Sequence, residues 1–147
     1  MNKKVFLGGT CGDSKWREII KPLLKIDYFD PVCSGEWTQE AYLRELQERE
    51  NSDFVMYVIT PKMTGVYSIA EVVDDSNKRP EKTLFCFLET DEDMAFNKVQ
   101  MKSLGAVAKM VKKNGGRVFD TLTEMADFLN ASSETEIQHE IAIASAE

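Results

Sequence analysis

Histidine and cysteine are scarce in this sequence, which excludes several kinds of catalytic and metal site. His139 is the only histidine among 147 residues, so Ser-His-Asp catalysis, Cys-His catalysis and most transition-metal sites are not expected. The three cysteines, Cys11, Cys33 and Cys86, form no CxxC pair, which predicts no structural zinc and favours a reducing, cytoplasmic location. If the protein is an enzyme, carboxylates must act as its nucleophile and proton donors.

The sequence also lacks a long apolar run and an excess of positive charge. No apolar stretch reaches the roughly 18 residues that span a bilayer, and the apolar part of the N-terminus, residues 5–7, is too short for a signal peptide. The formal net charge of -7 argues against a nucleic-acid polymer or an anionic membrane as partner, because both bind basic surfaces. A small nucleoside or nucleotide remains an acceptable partner.

Strand-like and helix-like patterns alternate five times along the chain. Strands are predicted at residues 4–7, 27–32, 53–60, 83–88 and 118–119, and helices at 15–24, 38–49, 66–76, 98–113 and 121–130. This alternation predicts an α/β fold, a flavodoxin-like three-layer sandwich whose five-stranded parallel sheet has the order 2-1-3-4-5. We expect one domain over residues 1–130 and a polar tail over 131–147, for which disorder and a weak helix both stay open.

In such a sheet, ligands bind beyond the carboxyl ends of the strands, where the first and third strands are neighbours. Three parts of the chain are expected to converge there: the glycine loop GGTCGDS (8–14), Asp53 with its strand, and TGVYS (64–68) with Glu71. The glycine loop matches neither GxxxxGK[ST] nor GxGxxG, and Asp13 would repel phosphate. The loop is therefore interpreted either as a tight strand-to-helix turn or as backbone that packs closely against a sugar or a base.

Glu71 is the first candidate for a catalytic carboxylate. Acids in the first turns of a helix are favoured by the helix dipole and are usually solvated. Its neighbours within residues 69–73 are apolar, however, so we expect a mostly buried helix in which a carboxylate is either costly or functional. Asp53 has two interpretations as well, since an acid before a strand often caps local backbone N–H groups.

Several segments carry a family resemblance. They are KKVFLGGT (3–10), FLGGTCGDSKWREIIKPLL (6–24), YFDPV (28–32) with a tryptophan after it, DFVMYVIT (53–60) and TGVYSIAEVV (64–73). Together they resemble nucleoside 2-deoxyribosyltransferases and their relatives, and the second segment is similar to the deoxyribosyltransferase-like branch in particular. In this family an aspartate opens the third strand, and a glycine-containing turn leads to a glutamate nucleophile on the next helix. The resemblance covers residues 5–129.

The resemblance implies roles for individual residues. Glu71 matches the nucleophile, and Asp53 matches the aspartate that helps handle the base or the catalytic acid. From the chemistry alone, Asp53 is the candidate that protonates the departing base, with Asp13 in reserve. Gln100, within KVQMKSLG, matches an amide that meets the sugar across a subunit interface. The other expected substrate-binding residues are Gly8, Gly9, Thr10, Trp37, Gly65, Tyr67 and Ser68.

Two positions depart from the family pattern, and one assignment has an alternative. The tyrosine that steadies the nucleophile in some members falls on Phe6, and the acid that often precedes the glutamate falls near Gly65. Thr64, Tyr67 or Ser68 is expected to supply the missing polar contacts. Trp37 follows the second strand and is assigned to stacking on the base, although a place in the core or an interface is equally open.

The expected function is transfer of a 2-deoxyribosyl group between bases, in nucleotide salvage. Breaking an N-glycosidic bond builds positive charge on the sugar, which Glu71 would trap as a glycosyl-enzyme. No cofactor or metal is expected, and the resemblance implies a homo-oligomer with shared active sites.

Three alternatives stay open. A deoxynucleoside monophosphate N-glycoside hydrolase would need a phosphate pocket, for which Lys15 and Arg17 are candidates. A non-catalytic nucleotide-binding module would use the same scaffold without chemistry. Flavin binding is disfavoured, because no Ser/Thr-rich phosphate loop follows the first strand.

Overall fold

The computed structural model describes residues 2–31 and 38–146, and the side chains of all of these except 133–141 and 146. Trp37, assigned above to base stacking, and Cys33 lie outside the described residues. The strands are β1 (Lys4–Gly9), β2 (Asp27–Phe29), β3 (Phe54–Ile59), β4 (Thr83–Phe87), β5 (Thr90–Asp91), β6 (Met94–Ala95) and β7 (Arg117–Phe119). The helices are α1 (Trp16–Ile20), α2 (Gln39–Asn51), α3 (Tyr67–Lys78), α4 (Lys98–Lys113) and α5 (Leu122–Ala146), with 3-10 turns at Lys21–Leu23 and Pro80–Lys82.

The main sheet is parallel throughout and has the order β2-β1-β3-β4-β7. This confirms the flavodoxin-like sandwich and the predicted order, since β7 is the fifth strand of that sheet. In β1 and β3, Val5 pairs with Phe54 and Gly9 with Val58. Every residue of β3 is buried, as expected for a parallel strand that is covered by helices on both faces.

The two faces of the sheet carry two separate cores. Successive side chains of a strand point to opposite faces, so Met56 and Val58 face α1 and α5, whereas Val55, Tyr57 and Ile59 face α3 and α4. The second core also contains Phe6, Val72, Phe85, Leu104 and Val111. Val72, the residue after Glu71, belongs to this core, so Glu71 lies on a helix that covers this face of the sheet.

The first helix differs from its prediction at both ends. The helix begins after Lys15 without a side-chain cap, and the Ser14 hydroxyl just before it donates to Asp91 Oδ2 at 2.6 Å. The helix ends at Ile20 and continues as the 3-10 turn Lys21–Leu23, because Pro22 lacks the N–H that an α-helical turn requires. Trp16 and Ile20 face the core, whereas Ile19 is exposed.

Two further elements were not predicted as observed. β5 and β6 form an antiparallel hairpin, and two-residue strands leave no periodic signal in a sequence. Helix α5 runs to Ala146, although the sequence predicted an end near residue 130. Disorder and a weak helix were both left open for residues 131–147, and the structure shows a helix up to Ala146. The domain boundary at residue 130 stays a prediction.

Within the described ranges, no helix has both the length and the apolar character that crossing a bilayer requires.

Candidate active site

The loops that follow β1 and β3 enclose a small cavity at the carboxyl edge of the sheet. Its volume is about 110 Å³, and its lining is Gly9, Thr10, Cys11, Ile59, Thr64, Gly65, Tyr67 and Ser68. The glycine loop and the TGVYS segment therefore meet where β1 and β3 are neighbours, as the strand order predicted. Five of the predicted substrate-binding residues border this cavity, and Gly8 lies directly before it on β1.

Gly8 and Gly9 are glycines because of contacts inside the fold. A Cβ on Gly8 would lie 2.6 Å from Tyr57 Cε1. Gly9 has a φ of 123°, and a Cβ there would overlap the backbone of Val58. At Gly65 a Cβ would meet no described heavy atom within 4 Å. The first two glycines thus support the tight-turn interpretation, whereas Gly65 leaves open space beside the cavity.

The glycine loop is held in place by buried hydrogen bonds. Thr10 Oγ1 accepts from the Thr60 N–H at 2.9 Å, and Trp16 Nε1 donates to the Thr10 carbonyl oxygen at 2.8 Å. Arg17 donates from Nη1 to the Thr10 carbonyl at 2.7 Å and from Nη2 to the Leu7 carbonyl at 3.1 Å. Arg17, a candidate phosphate ligand above, is buried and bonded to main-chain carbonyl groups instead.

Glu71 lies in the second turn of α3, three residues after Ser68. It is not among the described residues that line the cavity, but a rise of 1.5 Å per residue puts it only about 4.5 Å further along the helix axis than Ser68. Its side chain is 14% exposed, and Glu71 Oε2 lies 3.3 Å from Arg49 Nη1 on α2. Glu71 therefore points toward α2 and does not extend into bulk solvent.

The environment of Glu71 changes its charge state. The pKa of Glu71 is raised to about 7. Burial is the largest cause; the positive charge of Arg49 lowers the pKa, and the negative charges of Glu45 and Asp75 raise it. The effect of burial on this pKa exceeds that of Arg49, because a partly desolvated carboxylate is costly unless it is fully paired. Near pH 7, Glu71 is consequently present both in its protonated form and as the carboxylate.

Arg49 and Asp75 form the centre of a buried ionic network beside Glu71. Arg49 Nε lies 2.9 Å from Asp75 Oδ2, and Arg49 Nη2 lies 3.0 Å from Asp75 Oδ1. The Tyr57 hydroxyl donates to Asp75 Oδ2 at 2.5 Å, and Arg79 Nε donates to Asp75 Oδ1 at 2.9 Å. Burial acts to raise the pKa of Asp75, but the bonds from Arg49, Tyr57 and Arg79 outweigh it and lower that pKa.

The sequence interpretation missed Arg49 and Asp75. One signal was available, since Glu71 and Asp75 are four residues apart and so share a helix face. Two carboxylates on the inner face of a mostly buried helix require a cation from another element. Nothing in the sequence indicates that Arg49, near the end of a polar helix, supplies it.

Phe6 and Tyr57 are aromatic neighbours under α3. Phe6, where some family members have the tyrosine that steadies the nucleophile, stacks on Phe29 with a centroid distance of 5.9 Å and lies 6.4 Å from the Tyr57 ring. A tyrosine hydroxyl is therefore supplied by the neighbouring strand β3 and not by Phe6 on β1. Burial raises the pKa of Tyr57, so its hydroxyl stays protonated and donates to Asp75.

A second, larger cavity lies beside α2. It has a volume of about 570 Å³ and is lined by Tyr28, Phe29, Asp30, Pro31, Thr38, Glu40, Ala41, Arg44 and Glu45. Burial raises the pKa of Glu45, whose charge in turn acts on Glu71. Glu45 thereby connects this cavity electrostatically with Glu71. The described lining residues include three acids and one arginine, and one of the acids, Asp30, is paired with Lys21 at 2.6 Å.

The structure corrects the expected position of Asp53. Asp53 comes directly before β3, where its carboxylate accepts from the Lys4 N–H at 2.8 Å and its own N–H donates to the Lys4 carbonyl at 2.9 Å. The six residues of β3 separate it from the carboxyl edge, which corresponds to about 20 Å of strand. Asp53 thus caps the amino edge of the sheet, and the structure does not bring it to the cavity.

Gln100 and Asp13 lie at the edges of the site. The Gln100 side chain takes part in a capping box at the start of α4, where its Oε1 accepts from the Asn97 N–H at 2.9 Å. Gln100 also borders a largely apolar groove of about 330 Å³ between α3 and α4. Asp13 is exposed on the glycine loop. No subunit contact is described for Gln100, so its expected role across an interface stays a prediction.

Comparison with known proteins agrees with the sequence resemblance. A search of curated proteins finds no match for the chain. A family described as nucleoside 2-deoxyribosyltransferase like matches residues 2–90, a segment that contains β1 to β4, the glycine loop, Arg49 and Glu71. Because this match covers more than half of the 147 residues, the chain belongs to the nucleoside 2-deoxyribosyltransferase-like family.

Proposed function

We propose that the protein cleaves the N-glycosidic bond of 2-deoxynucleosides and transfers the deoxyribosyl group to another base, with Glu71 as the nucleophile. One observation carries this proposal: Glu71 is a partly buried carboxylate, 14% exposed, on the helix whose first residues line the switch-point cavity. Family membership supports a transferase-like enzyme. The exchange reaction is our proposal for this chain.

The proposed reaction has two displacements at the anomeric carbon. In the first, a Glu71 carboxylate oxygen bonds to that carbon while the bond to the base breaks, and the base leaves with the electron pair and takes up a proton. In the second, a nitrogen of the incoming base bonds to the same carbon, loses a proton, and releases the Glu71 carboxylate. Transfer prevails over hydrolysis only if water is kept from the ester.

The departing base needs a proton or a hydrogen bond. The resemblance implies Asp53 for this role, but Asp53 lies at the amino edge of β3 and accepts from Lys4. Asp13 belongs to the glycine loop, on the same sheet edge as the cavity. We therefore favour Asp13 over Asp53 as the proton donor, with Tyr67 and Ser68 supplying polar contacts to the nucleoside.

The runner-up function is hydrolysis of deoxynucleoside monophosphates, and the charge of the site argues against it. Arg17 is bonded to carbonyl groups of the glycine loop, and Arg44 shares its cavity with three acids. Lys15 lies in a different groove that also contains Asp91 and Glu92. Residues 32–37 contain no lysine or arginine, so a phosphate would gain little from this part of the chain.

An exchange assay tests the proposal. The protein is incubated with deoxyinosine and adenine, and separately with deoxynucleoside monophosphates, and products are separated by chromatography. Formation of deoxyadenosine supports transfer, base release from monophosphates alone supports the hydrolase, and no reaction of the wild type with either supports the non-catalytic module. A peptide that contains Glu71 and gains the mass of one deoxyribosyl group would identify the covalent intermediate.

Two variants give the assay its specificity. We expect Glu71→Gln to reduce exchange by about 10³-fold or more, because removing a nucleophile typically costs that much. Glu50→Gln makes the same chemical change at an exposed position of α2 and serves as the matched control. Equal rates for the two variants would remove Glu71 from the mechanism.

We also propose that the active site is shared between subunits, with Gln100 of a neighbouring copy reaching the sugar. The apolar character of the groove beside Gln100 supports burial of this surface. Light scattering after size-exclusion chromatography measures the assembly. A strictly monomeric protein that carries out exchange would contradict the shared site.

A further inference from the structure

We propose that Arg49 is a positioning residue, which is oriented by Asp75 and in turn binds Glu71 and favours its ionised form over the protonated one. This inference rests on the proposed role of Glu71 as nucleophile. It concerns a residue on α2 that the sequence interpretation did not assign to the site.

The Arg49 guanidinium binds Asp75 with two nitrogens and Glu71 with the third, and Nη2 also contacts the partly exposed Asp74 at 3.1 Å. Nε and Nη2 bind the two oxygens of Asp75 at 2.9 and 3.0 Å, so the fork is fixed in two places. The remaining nitrogen, Nη1, lies 3.3 Å from Glu71 Oε2. A planar guanidinium held by two parallel bonds has little freedom to turn, and the direction of Nη1 toward Glu71 follows from the bonds to Asp75.

Asp75 is itself rigidly held. Its side chain is 0% exposed, and it accepts from Tyr57 at 2.5 Å and from Arg79 at 2.9 Å in addition to Arg49. Tyr57 belongs to the central strand β3, so the chain of contacts runs from the sheet through Asp75 and Arg49 to Glu71. Asp75 therefore anchors Arg49 to the most buried part of the fold.

The charges around Glu71 make Arg49 the group that opposes protonation. On α2, Glu45 and Arg49 act on Glu71; on α3, Asp75 does so, and Asp74 lies one turn away; on β3, the neighbouring group is the neutral Tyr57 hydroxyl. Burial and both acids raise the pKa of Glu71, and Arg49 lowers it. Without Arg49, every remaining influence favours the protonated form, which cannot attack the sugar.

Direct titration of Glu71 tests this inference without any assay of catalysis. Protein labelled with ¹³C at glutamate carboxyl groups is titrated by NMR, and Glu71→Gln identifies the Glu71 signal. We expect Arg49→Gln to raise the titration midpoint of Glu71 by about 1–3 pH units, the usual effect of an opposite charge at this distance. An unchanged midpoint in Arg49→Gln would overturn the inference.

Asp74→Asn is the matched control. Asp74 Oδ2 lies 3.1 Å from Arg49 Nη2, but the Asp74 side chain is 43% exposed and the variant leaves the Asp75 fork in place. We expect the Glu71 midpoint to stay at its wild-type value. A midpoint that moves as much in Asp74→Asn as in Arg49→Gln would mean that any charge change nearby suffices, and would also overturn the inference.

A reciprocal measurement covers the case in which Arg49→Gln does not fold. In the wild type, the Arg49 Nε resonance is expected to shift with pH at the same midpoint as Glu71, and this shift is expected to vanish in Glu71→Gln. An Arg49 Nε resonance with the same pH dependence in Glu71→Gln as in the wild type would refute the coupling.

Activity then separates this inference from the proposed function. If exchange is observed, its acid limb is expected to move with the titration midpoint in Arg49→Gln, whereas a purely structural role would lower the rate equally at every pH. If no exchange is observed, the proposed function fails, and the titration still decides whether Arg49 controls the charge of Glu71.

Discussion

The ring of Tyr57 on β3 lies against Gly8 on β1 so closely that a Cβ on Gly8 would be 2.6 Å from Tyr57 Cε1. The absence of a side chain at Gly8 therefore makes room for the tyrosine, whose hydroxyl reaches Asp75. Gly8 contributes to the site indirectly, because it lets the central strand carry the residue that anchors the ionic network. Contact with a substrate is not needed to explain this glycine.

Gly8→Ala is expected to lower the free energy of unfolding by about 1–3 kcal/mol, the usual cost of an added methyl group in a well-packed core. Gly65→Ala provides the control, because a Cβ there would meet no described atom within 4 Å, and a change within about 0.5 kcal/mol is expected. Urea unfolding at neutral pH measures both. Equal losses in the two variants would contradict the packing role of Gly8.

The sequence predicted the fold well where patterns are long and regular. Helix α4 has the predicted bounds, Lys98–Lys113, and β3 differs from its prediction by one residue at each end, because both carry an unbroken periodic signal. The hairpin of β5 and β6 was missed because four paired residues have no period. Helix α1 ends at Ile20, earlier than predicted, because Pro22 interrupts it and the chain continues as a 3-10 turn.

The sequence predicted the meeting of the two loops at the cavity, because topology alone determines it. The glycine loop and residues 64–68 follow neighbouring parallel strands, so the strand order brings them together. Asp53 was misplaced because it directly precedes β3 and therefore lies at the opposite sheet edge from residues that follow a strand. The pairing of Arg49 with Asp75, 26 residues later, joins two helices, and periodicity indicates which face of a helix is buried without indicating its partner.

Glu71→Gln is expected to stabilise the protein at alkaline pH. Its pKa rises from 4.5 to about 7 on folding, so the folded state binds the proton more tightly than the unfolded state. The associated stabilisation is complete below the unfolded pKa and is lost as pH rises through 7. Glutamine does not ionise, so the variant keeps its stability as the pH rises. In urea unfolding, we expect the free energy of unfolding of the variant to exceed that of the wild type by up to about 3 kcal/mol near pH 8.5, and by much less near pH 5.

This prediction would be contradicted if the stability difference between Glu71→Gln and the wild type were the same near pH 8.5 as near pH 5. Such an outcome would mean that Glu71 does not titrate between them, and the protonation state assigned to it near neutral pH would be wrong.

Asp75→Asn is expected to lower the free energy of unfolding by about 3–5 kcal/mol at pH 7, because it removes the charged group that Arg49 binds twice. Asp74→Asn changes a 43% exposed partner of the same arginine and is expected to cost less than about 1 kcal/mol. Since the pKa of Asp75 is lowered on folding, its contribution is present above the unfolded pKa and is lost as pH falls through the folded pKa. The deficit of Asp75→Asn relative to the wild type should accordingly shrink in acid, and a deficit that grows there would contradict the assignment.

Asp53 and Asp13 can be distinguished by separating stability from rate. Asp53→Ala removes the acceptor of the Lys4 N–H and is expected to lower the free energy of unfolding by about 0.5–1.5 kcal/mol. Its exchange rate should stay close to that of the wild type under conditions where both are folded, because a proton donor must come within hydrogen-bond reach of the leaving base. Asp13→Ala, on an exposed loop, should show the reverse: unchanged unfolding and an exchange rate reduced by about 10²-fold or more. A large loss of rate in Asp53→Ala with unchanged stability would instead return the acid's role to Asp53, and would require the substrate to extend along the face of the sheet toward its amino edge.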